Sequence, residues 1–207
     1  ADKILAKFSL KKTKTDLKNW RKMVSNLRNP RSKVRVGIVG KYFEDNSLHK
    51  DLYLSVYEAL KHVGGKLATD IEIVPIGSDE LERSKSVTRT LSRYKLDGLI
   101  GPQGWGNRGT EGVISAISWA RKKKVPYLGL CFGMQLMAIE YARNAADLKQ
   151  ASSVEIDKDT KQPVIHIMED QKEYLKKKQY GGTIRLGNWP CKLKKGSLVE
   201  KLYLKHT

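Results

Sequence analysis

Between Val34 and Arg143 four short apolar runs alternate with four amphipathic stretches, and this alternation restricts the chain to very few architectures. Val34 to Val39 (VRVGIV) is a β-branched run of the kind seen in a strand buried on both faces. A polar loop, Lys41 to Lys50, follows. Leu52, Val56, Ala59, Leu60 and Val63 then recur at helical spacing, and Gly64-Gly65 is expected to stop that helix. Ile71 to Ile76 reads as a second strand, the charged stretch Asp79 to Arg93 as a helix, and Gly98 to Ile100 as a third strand. After a glycine-rich loop, Gly101 to Gly109, the spacing of Val113, Ile114, Ile117 and Ala120 predicts another helix. Val125 to Leu130 is the fourth strand and Gly133 to Arg143 the helix after it. Strands alternating with helices predict a parallel sheet covered on both faces. From about residue 150 the pattern loosens, with Val164 to Met168 and Thr183 to Leu186 as further strands outside the alternation.

The 207 residues are 40% hydrophobic and 30% charged, enough to bury a real core and too apolar for disorder as the main state. The longest apolar runs fall far short of the roughly 20 residues a membrane span requires, so no membrane is expected as a partner. The two cysteines, Cys131 and Cys191, can form at most one bridge, which points to a reducing, cytoplasmic setting. The N-terminus has no apolar leader and begins with alanine, as a processed or excised piece would. The net charge of +18 suggests nucleic acid at first sight. Its distribution argues otherwise. Residues 1–33 carry 11 basic and 2 acidic groups and residues 171–207 carry 10 and 2, whereas 34–170 carry 19 and 18. The excess lies on two terminal segments around a neutral body, and few aromatics interleave with the lysines, so a nucleic-acid surface is not expected.

Residues 1–33 read as a basic linker followed by an amphipathic helix, ahead of a main domain at 34–207. Residues 1–15 are lysine-rich and weakly patterned. Asp16 stands where an N-cap would, and Leu17, Trp20, Val24 and Leu27 form one apolar stripe that Asn29-Pro30 ends. A helix with one such stripe is expected to dock on the main body or on a preceding domain.

Ligands of open α/β sheets collect at the carboxyl ends of the strands. Two segments fall there: Pro102 to Gly109, and Gly129-Leu130-Cys131-Phe132-Gly133. The second has the Gly-x-nucleophile-x-Gly spacing of a nucleophile elbow. A sharp strand-to-helix turn strains the nucleophile, and glycines two residues to either side leave room for close packing. The helix that follows aims its first amides at the sulfur, a field that favours thiolate and can hold an oxyanion. Cys191, after Trp189-Pro190 in an irregular stretch, has no such setting and reads as structural.

Tyr127 to Gln135 (YLGLCFGMQ) resembles the nucleophile segment of class I, triad-type glutamine amidotransferases. More narrowly, the chain resembles the amidotransferase domain of the CTP synthase family. Val36 to Tyr42, Glu58 to His62, Arg108 to Gly112, Ser153-Val154-Glu155 and Gly181 to Gly187 are similar to segments of that family in the same order. Asn19 to Met23 is similar to its interdomain helix. The resemblance implies a flavodoxin-like α/β fold, a mostly parallel central sheet with helices on both faces. It implies that Cys131 is the catalytic nucleophile and that Gly104, Phe132, Gly133, Met134, Gln135 and Glu155 bind substrate glutamine. Gln103 and Phe132 occupy the oxyanion-hole positions. No metal or cofactor is implied for this domain. ATP, UTP, Mg and the activator GTP belong to the parent enzyme, in which ammonia passes to a synthetase domain and UTP becomes CTP. That enzyme is a homotetramer, so the synthetase domain and further copies are the implied partners.

The sequence departs from the family pattern in three places. The family's Pro-Gly-Gly-Phe-Gly loop is here Pro102-Gln103-Gly104-Trp105-Gly106, and a glutamine is expected to reach a glycine-only backbone conformation poorly. The family's base is a histidine two residues before a glutamate, and none of His49, His62, His166 and His206 has that neighbour. The chain is therefore expected to lack the C-terminal part carrying the catalytic His and Glu, as well as the whole synthetase domain. The alternative expectation is a regulatory or binding domain that keeps the fold with impaired catalysis.

Overall fold

The computed structural model describes residues 2–11, 16–41, 43, 52–177 and 190–204. The chain divides into two compact units, Ala1–His166 and Ile167–Thr207. In the first unit β1 (Ser32–Gly40) is the central strand. It pairs in parallel with β2 (Thr69–Gly77) along its whole length, from Ser32 opposite Thr69 to Gly40 opposite Gly77. On its other side it pairs with β3 (Gly98–Gly101), which pairs in turn with β4 (Tyr127–Gly129). The order β2-β1-β3-β4, all parallel, is the doubly wound arrangement of flavodoxin-like folds.

Side chains alternate along the strands and so build two cores. On one face Val39, Val74, Ile76 and Leu99 pack with Leu81, Leu91, Val113, Ile117, Leu136 and Ile139. Those partners come from α4 (Ser78–Arg83), α5 (Val87–Ser92), α6 (Thr110–Lys123) and α7 (Phe132–Asn144). On the other face Ile38 and Ile100 pack with Tyr53 and Val56 at the start of α3 (Leu54–Leu67). Burying each such aliphatic side chain is worth about 1.5–3 kcal/mol, which is why these positions and not local propensity fix the elements.

Several sequence expectations need correction. Residues 2–7, read as weakly patterned, form a short helix, α1 (Asp2–Lys7), with an acid in its first turn and a base in its last, as the helix dipole favours. The helix after it, α2 (Lys18–Arg28), has Leu17 rather than Asp16 at its N-cap. The Asp16 carboxylate still accepts the Lys18 N–H at 2.9 Å. Gly64-Gly65 does not stop α3, which runs on to Leu67 and ends at Ala68 with φ 53°. The glycines serve close packing instead. A Cβ on Gly64 would lie 2.7 Å from the Thr69 carbonyl oxygen, and one on Gly65 would lie 3.0 Å from Met23 Cγ of α2. The α2 helix docks there through Met23 and Leu27, with Asn26 Nδ2 donating to the Gly65 carbonyl at 2.8 Å. Its remaining stripe, Leu17, Trp20 and Val24, is exposed.

The stretch 79–93 forms two helices, α4 and α5. Ser86 caps the second by accepting the Arg89 N–H. The fourth strand shortens to Tyr127–Gly129. A parallel pair, β5 (Ala151–Ser153) and β6 (Gln162–Ile165), replaces the single strand expected at 164–168. The strand expected at 183–186, and the loop 41–50 apart from Lys41 and Phe43, lie outside the described residues. In the second unit, α8 (Glu169–Lys176) precedes α9 (Leu198–Leu204). At the start of α9 Ser197 Oγ caps the helix by accepting the Glu200 N–H, and Glu200 Oε2 accepts the N–H of Gly196, the residue before the cap. No helix among the described residues is long and apolar enough to cross a membrane.

The α6–α7 contact closes over one buried carboxylate. Glu140 is 1% exposed and takes both Nε and Nη2 of Arg121 at about 3 Å, with Asn144 Nδ2 at 3.2 Å. Arg121→Ala strands that carboxylate. Because the arginine is one-third exposed and water can partly replace it, the expected loss is about 2 kcal/mol. Glu140→Gln, which keeps the volume, is expected to lose about half as much. Urea midpoints at constant slope measure both.

Candidate active site

The carboxyl ends of β1, β3 and β4 meet at the turn from β4 into α7, and backbone rather than side chain sets its geometry. A Cβ on Gly133 would lie 2.0 Å from the Gly101 carbonyl oxygen, and one on Gly129 would lie 2.6 Å from the Met134 nitrogen. Only glycine allows α7 to start this close to β3 and β4. The Leu130 N–H donates to the same Gly101 oxygen at 2.8 Å, continuing the β3–β4 pairing into the turn. Tyr127, whose buried phenol is pushed well above its usual pKa, donates from Oη to the Gly133 carbonyl at 3.0 Å. The first turn of α7 closes with Met134 N and Gln135 N both donating to the Cys131 carbonyl at 3.1 Å.

Between these fixed points Cys131 stands at φ 54° and ψ −106°, a left-handed-side conformation that non-glycine residues rarely adopt. Its thiol is exposed. The elbow inferred from spacing is therefore present, with its strain. Among the described residues no acceptor pairs with the N–H of Phe132, the first helical amide and one of the expected oxyanion donors.

The facing wall is the loop 102–109. Gly104 lies against the turn: a Cβ on it would lie 3.6 Å from Phe132 Cδ1 and 4.0 Å from Lys41 Cε. Gln103 is exposed, and its φ is not positive, so in this loop it does not adopt the conformation that favours glycine. Glu155, exposed, comes from the turn after β5 and reaches this loop by accepting the Gly106 N–H at 2.7 Å. Its own N–H donates to Ser153 Oγ at 3.0 Å. Phe132 and Gly133 are buried, Gln135 is half-buried, and Met134 is exposed.

Lys41 was not among the candidates read from sequence. It is 4% exposed, donates to the Trp105 carbonyl and, at 2.7 Å, to the Gly106 carbonyl, and lies 4.5 Å above the Phe132 ring centroid. Burial lowers its ammonium pKa, while Glu155 and Asp79 pull it back up. Arg108 supports it from behind, donating to the Lys41 carbonyl at 2.8 Å and reaching Asp79 at 3.6 Å. The available signal was a lysine directly after a buried strand, where solvated lysines are rare.

The structure thus brings Cys131, Phe132, Gly133, Met134 and Gln135 onto one turn, sets Gly104 against Phe132, and ties Glu155 to Gly106. His62, on α3, and His166, after β6, are exposed, and Cys131 forms no hydrogen bond to either. His49, His206 and the segment Gly181 to Gly187 lie outside the described residues. Cys191 is exposed in the second unit. Among the described residues no cluster of three or more His, Cys, Asp or Glu side chains could hold a metal ion.

Cys131 holds its backbone at a cost in stability. Cys131→Gly removes strain of about 1–3 kcal/mol and adds roughly 1 kcal/mol of chain entropy, so a net gain of about 1 kcal/mol is expected. Gly133→Ala is expected to lose about 3 kcal/mol, because its Cβ meets backbone that cannot move aside. Thermal melts of the two variants should shift in opposite directions.

Residues 48–204 match the family model for class-I glutamine amidotransferases. The chain is 45% identical to the CTP synthase of Methanocaldococcus jannaschii over 204 residues, which are 97% of this chain and 36% of that protein. It is 42% identical over 196 residues to the CTP synthase of Prochlorococcus marinus strain MIT 9215, 95% of this chain and 35% of that protein. It therefore spans about a third of the length of the curated relatives it matches. Among solved structures it is similar to the glutaminase domain of Trypanosoma brucei CTPS with bound acivicin. That likeness has a TM-score of 0.59 at 34% identity and covers 66% of this chain and 51% of that one. With the doubly wound sheet and the cysteine elbow already in place, the chain belongs to the class-I glutamine amidotransferase family.

Proposed function

We propose that this chain is the glutaminase part of a CTP synthase, releasing ammonia from L-glutamine for the amination of UTP. The observation that carries the reading is Cys131, strained and exposed at the head of α7 beside the Phe132 amide, which has no acceptor among the described residues. The Cys131 thiolate attacks the side-chain carboxamide carbon, and the carbonyl oxygen takes the negative charge. The Phe132 N–H, with a backbone amide of the Gln103-Gly104 segment, stabilises that oxyanion. The nitrogen leaves as ammonia after taking up the proton that the Cys131 thiol gave up, and a glutamyl thioester remains on Sγ. Water then releases glutamate and restores the thiol. Gly104 and the 132–135 turn flank the substrate chain, and the Glu155 carboxylate receives its ammonium group.

In this reading the ammonia passes to a synthetase domain, where ATP phosphorylates UTP and ammonia displaces the phosphate to give CTP. GTP activates the glutaminase step, and the assembly is a cytoplasmic homotetramer. Support comes from two sides: the CTP synthase relatives align over nearly the whole of this chain, and one alignment of a solved glutaminase domain shares its fold.

The test uses a glutamine-like chloroketone on the intact enzyme that carries this chain. One adduct is expected, mapped by mass spectrometry to Cys131 and missing from Cys131→Ala. That variant should lose about 10³-fold or more of glutamine-dependent CTP formation while keeping ammonia-dependent formation. An adduct at another residue, or equal loss of both activities, would overturn the reading.

A further inference from the structure

We propose that Lys41 is a positioning residue for glutamine, fixing the Glu155 carboxylate through a single peptide unit. The inference rests on the glutaminase reading and deepens it, because it adds a residue to the substrate-recognition machinery.

The unit is the peptide bond between Trp105 and Gly106. Its oxygen accepts from Lys41 Nζ, and its N–H donates to Glu155 Oε1 at 2.7 Å. In a trans peptide the C=O and N–H point in opposite directions within one plane, so holding either end orients the other. Lys41 also holds the next peptide unit through the Gly106 oxygen at 2.7 Å. Gly106 sits at φ +70°, a conformation that lets both carbonyls turn toward the same ammonium. With two protons on carbonyls, the cation still lies 4.5 Å above the Phe132 ring, next to the nucleophile. One buried charge therefore touches the loop that orients Glu155 and the turn that presents Cys131.

Glu155 needs such a partner. It is exposed, and a free glutamate would sample many rotamers. Among the described residues its side chain accepts one hydrogen bond, from the Gly106 N–H, and its other oxygen remains for a ligand. A carboxylate held by one oxygen, with the other not engaged among the described residues, suits the ammonium of an amino-acid substrate. Without Lys41 the 105–106 peptide is free to rotate, and Glu155 loses its fixed point. The nucleophile, set by Gly101, Gly129 and Gly133, should be unaffected. Lys41 is thus expected to act on substrate affinity and not on thiol chemistry.

The test is steady-state glutaminase kinetics of the intact enzyme, with Lys41→Met, Lys41→Arg, Glu155→Ala and the double variant Lys41→Met/Glu155→Ala. For Lys41→Met the glutamine KM should rise about tenfold or more, with kcat within about threefold. Lys41→Arg, which keeps the charge and donors, should recover most of that loss. Glu155→Ala should raise KM at least as far, and adding Lys41→Met to it should raise KM no further, since the two act as one unit. Alkylation of Cys131 by iodoacetamide, which needs no Glu155, should match wild type within about twofold. If Lys41→Met yields no soluble protein, Lys41→Gln, a neutral donor, carries the same comparison. Unchanged KM, or effects of Lys41 and Glu155 that multiply independently, would overturn the proposal while leaving the glutaminase reading intact. A wild-type enzyme that does not hydrolyse glutamine would overturn both.

Discussion

The contact between the Gly133 backbone and the Gly101 carbonyl is the constraint on which the rest of this site depends. With no Cβ between them, α7 begins directly against the end of β3, and the chain must turn within the two residues Leu130 and Cys131. Along that short path Cys131 stands at φ 54°, with its thiol exposed. Among the described residues the first α7 amide, that of Phe132, has no acceptor. Strain and exposure at Cys131 thus accompany one close packing distance. The α6–α7 pairing over Glu140 and the Leu136–Ile139 contact with the core hold that distance from the far end of the helix.

Opposite this rigid turn the site is built from loops, and loops need a different anchor. Here the anchor is electrostatic. Lys41 leaves the end of β1, where the carboxyl edge of the sheet is already crowded, and its ammonium finds two loop carbonyls and an aromatic face. Burying a lysine is costly unless its donors are used, and these contacts offset that cost. Arg108 and Asp79 close the back of the same network. The turn is thus held by steric fit and the loop by charge. The space between them has one wall that cannot move and one that is oriented by a cation.

The surplus of positive charge plays no visible part in this chemistry. In sequence it lies on residues 1–33 and 171–207, while 34–170 carry nearly equal numbers of basic and acidic groups. In α2, Met23 and Leu27 pack on Gly65 of α3 while Trp20 and Val24 stay exposed, so one helix carries both an intramolecular contact and a free apolar stripe.

Sequence by itself determined the parallel α/β sheet, because buried β-branched runs alternating with helical periodicity have few other solutions. It also determined the strand-to-helix elbow at Cys131, since glycines two residues to either side have a steric meaning independent of context. It misread what depends on a distant partner. Gly64-Gly65 looked like a helix stop and is a docking surface, because α2 and the Thr69 carbonyl approach it. Lys41 looked like one more solvated lysine among many. Only the tertiary structure placed it beneath Trp105 and Gly106, 64 and 65 residues further along the chain, and linked it through one peptide to Glu155. Local spacing records what a residue does to its neighbours in sequence. Charge burial and hydrogen bonding across the sheet edge exist only once the strands are paired, and there the fold alone decided.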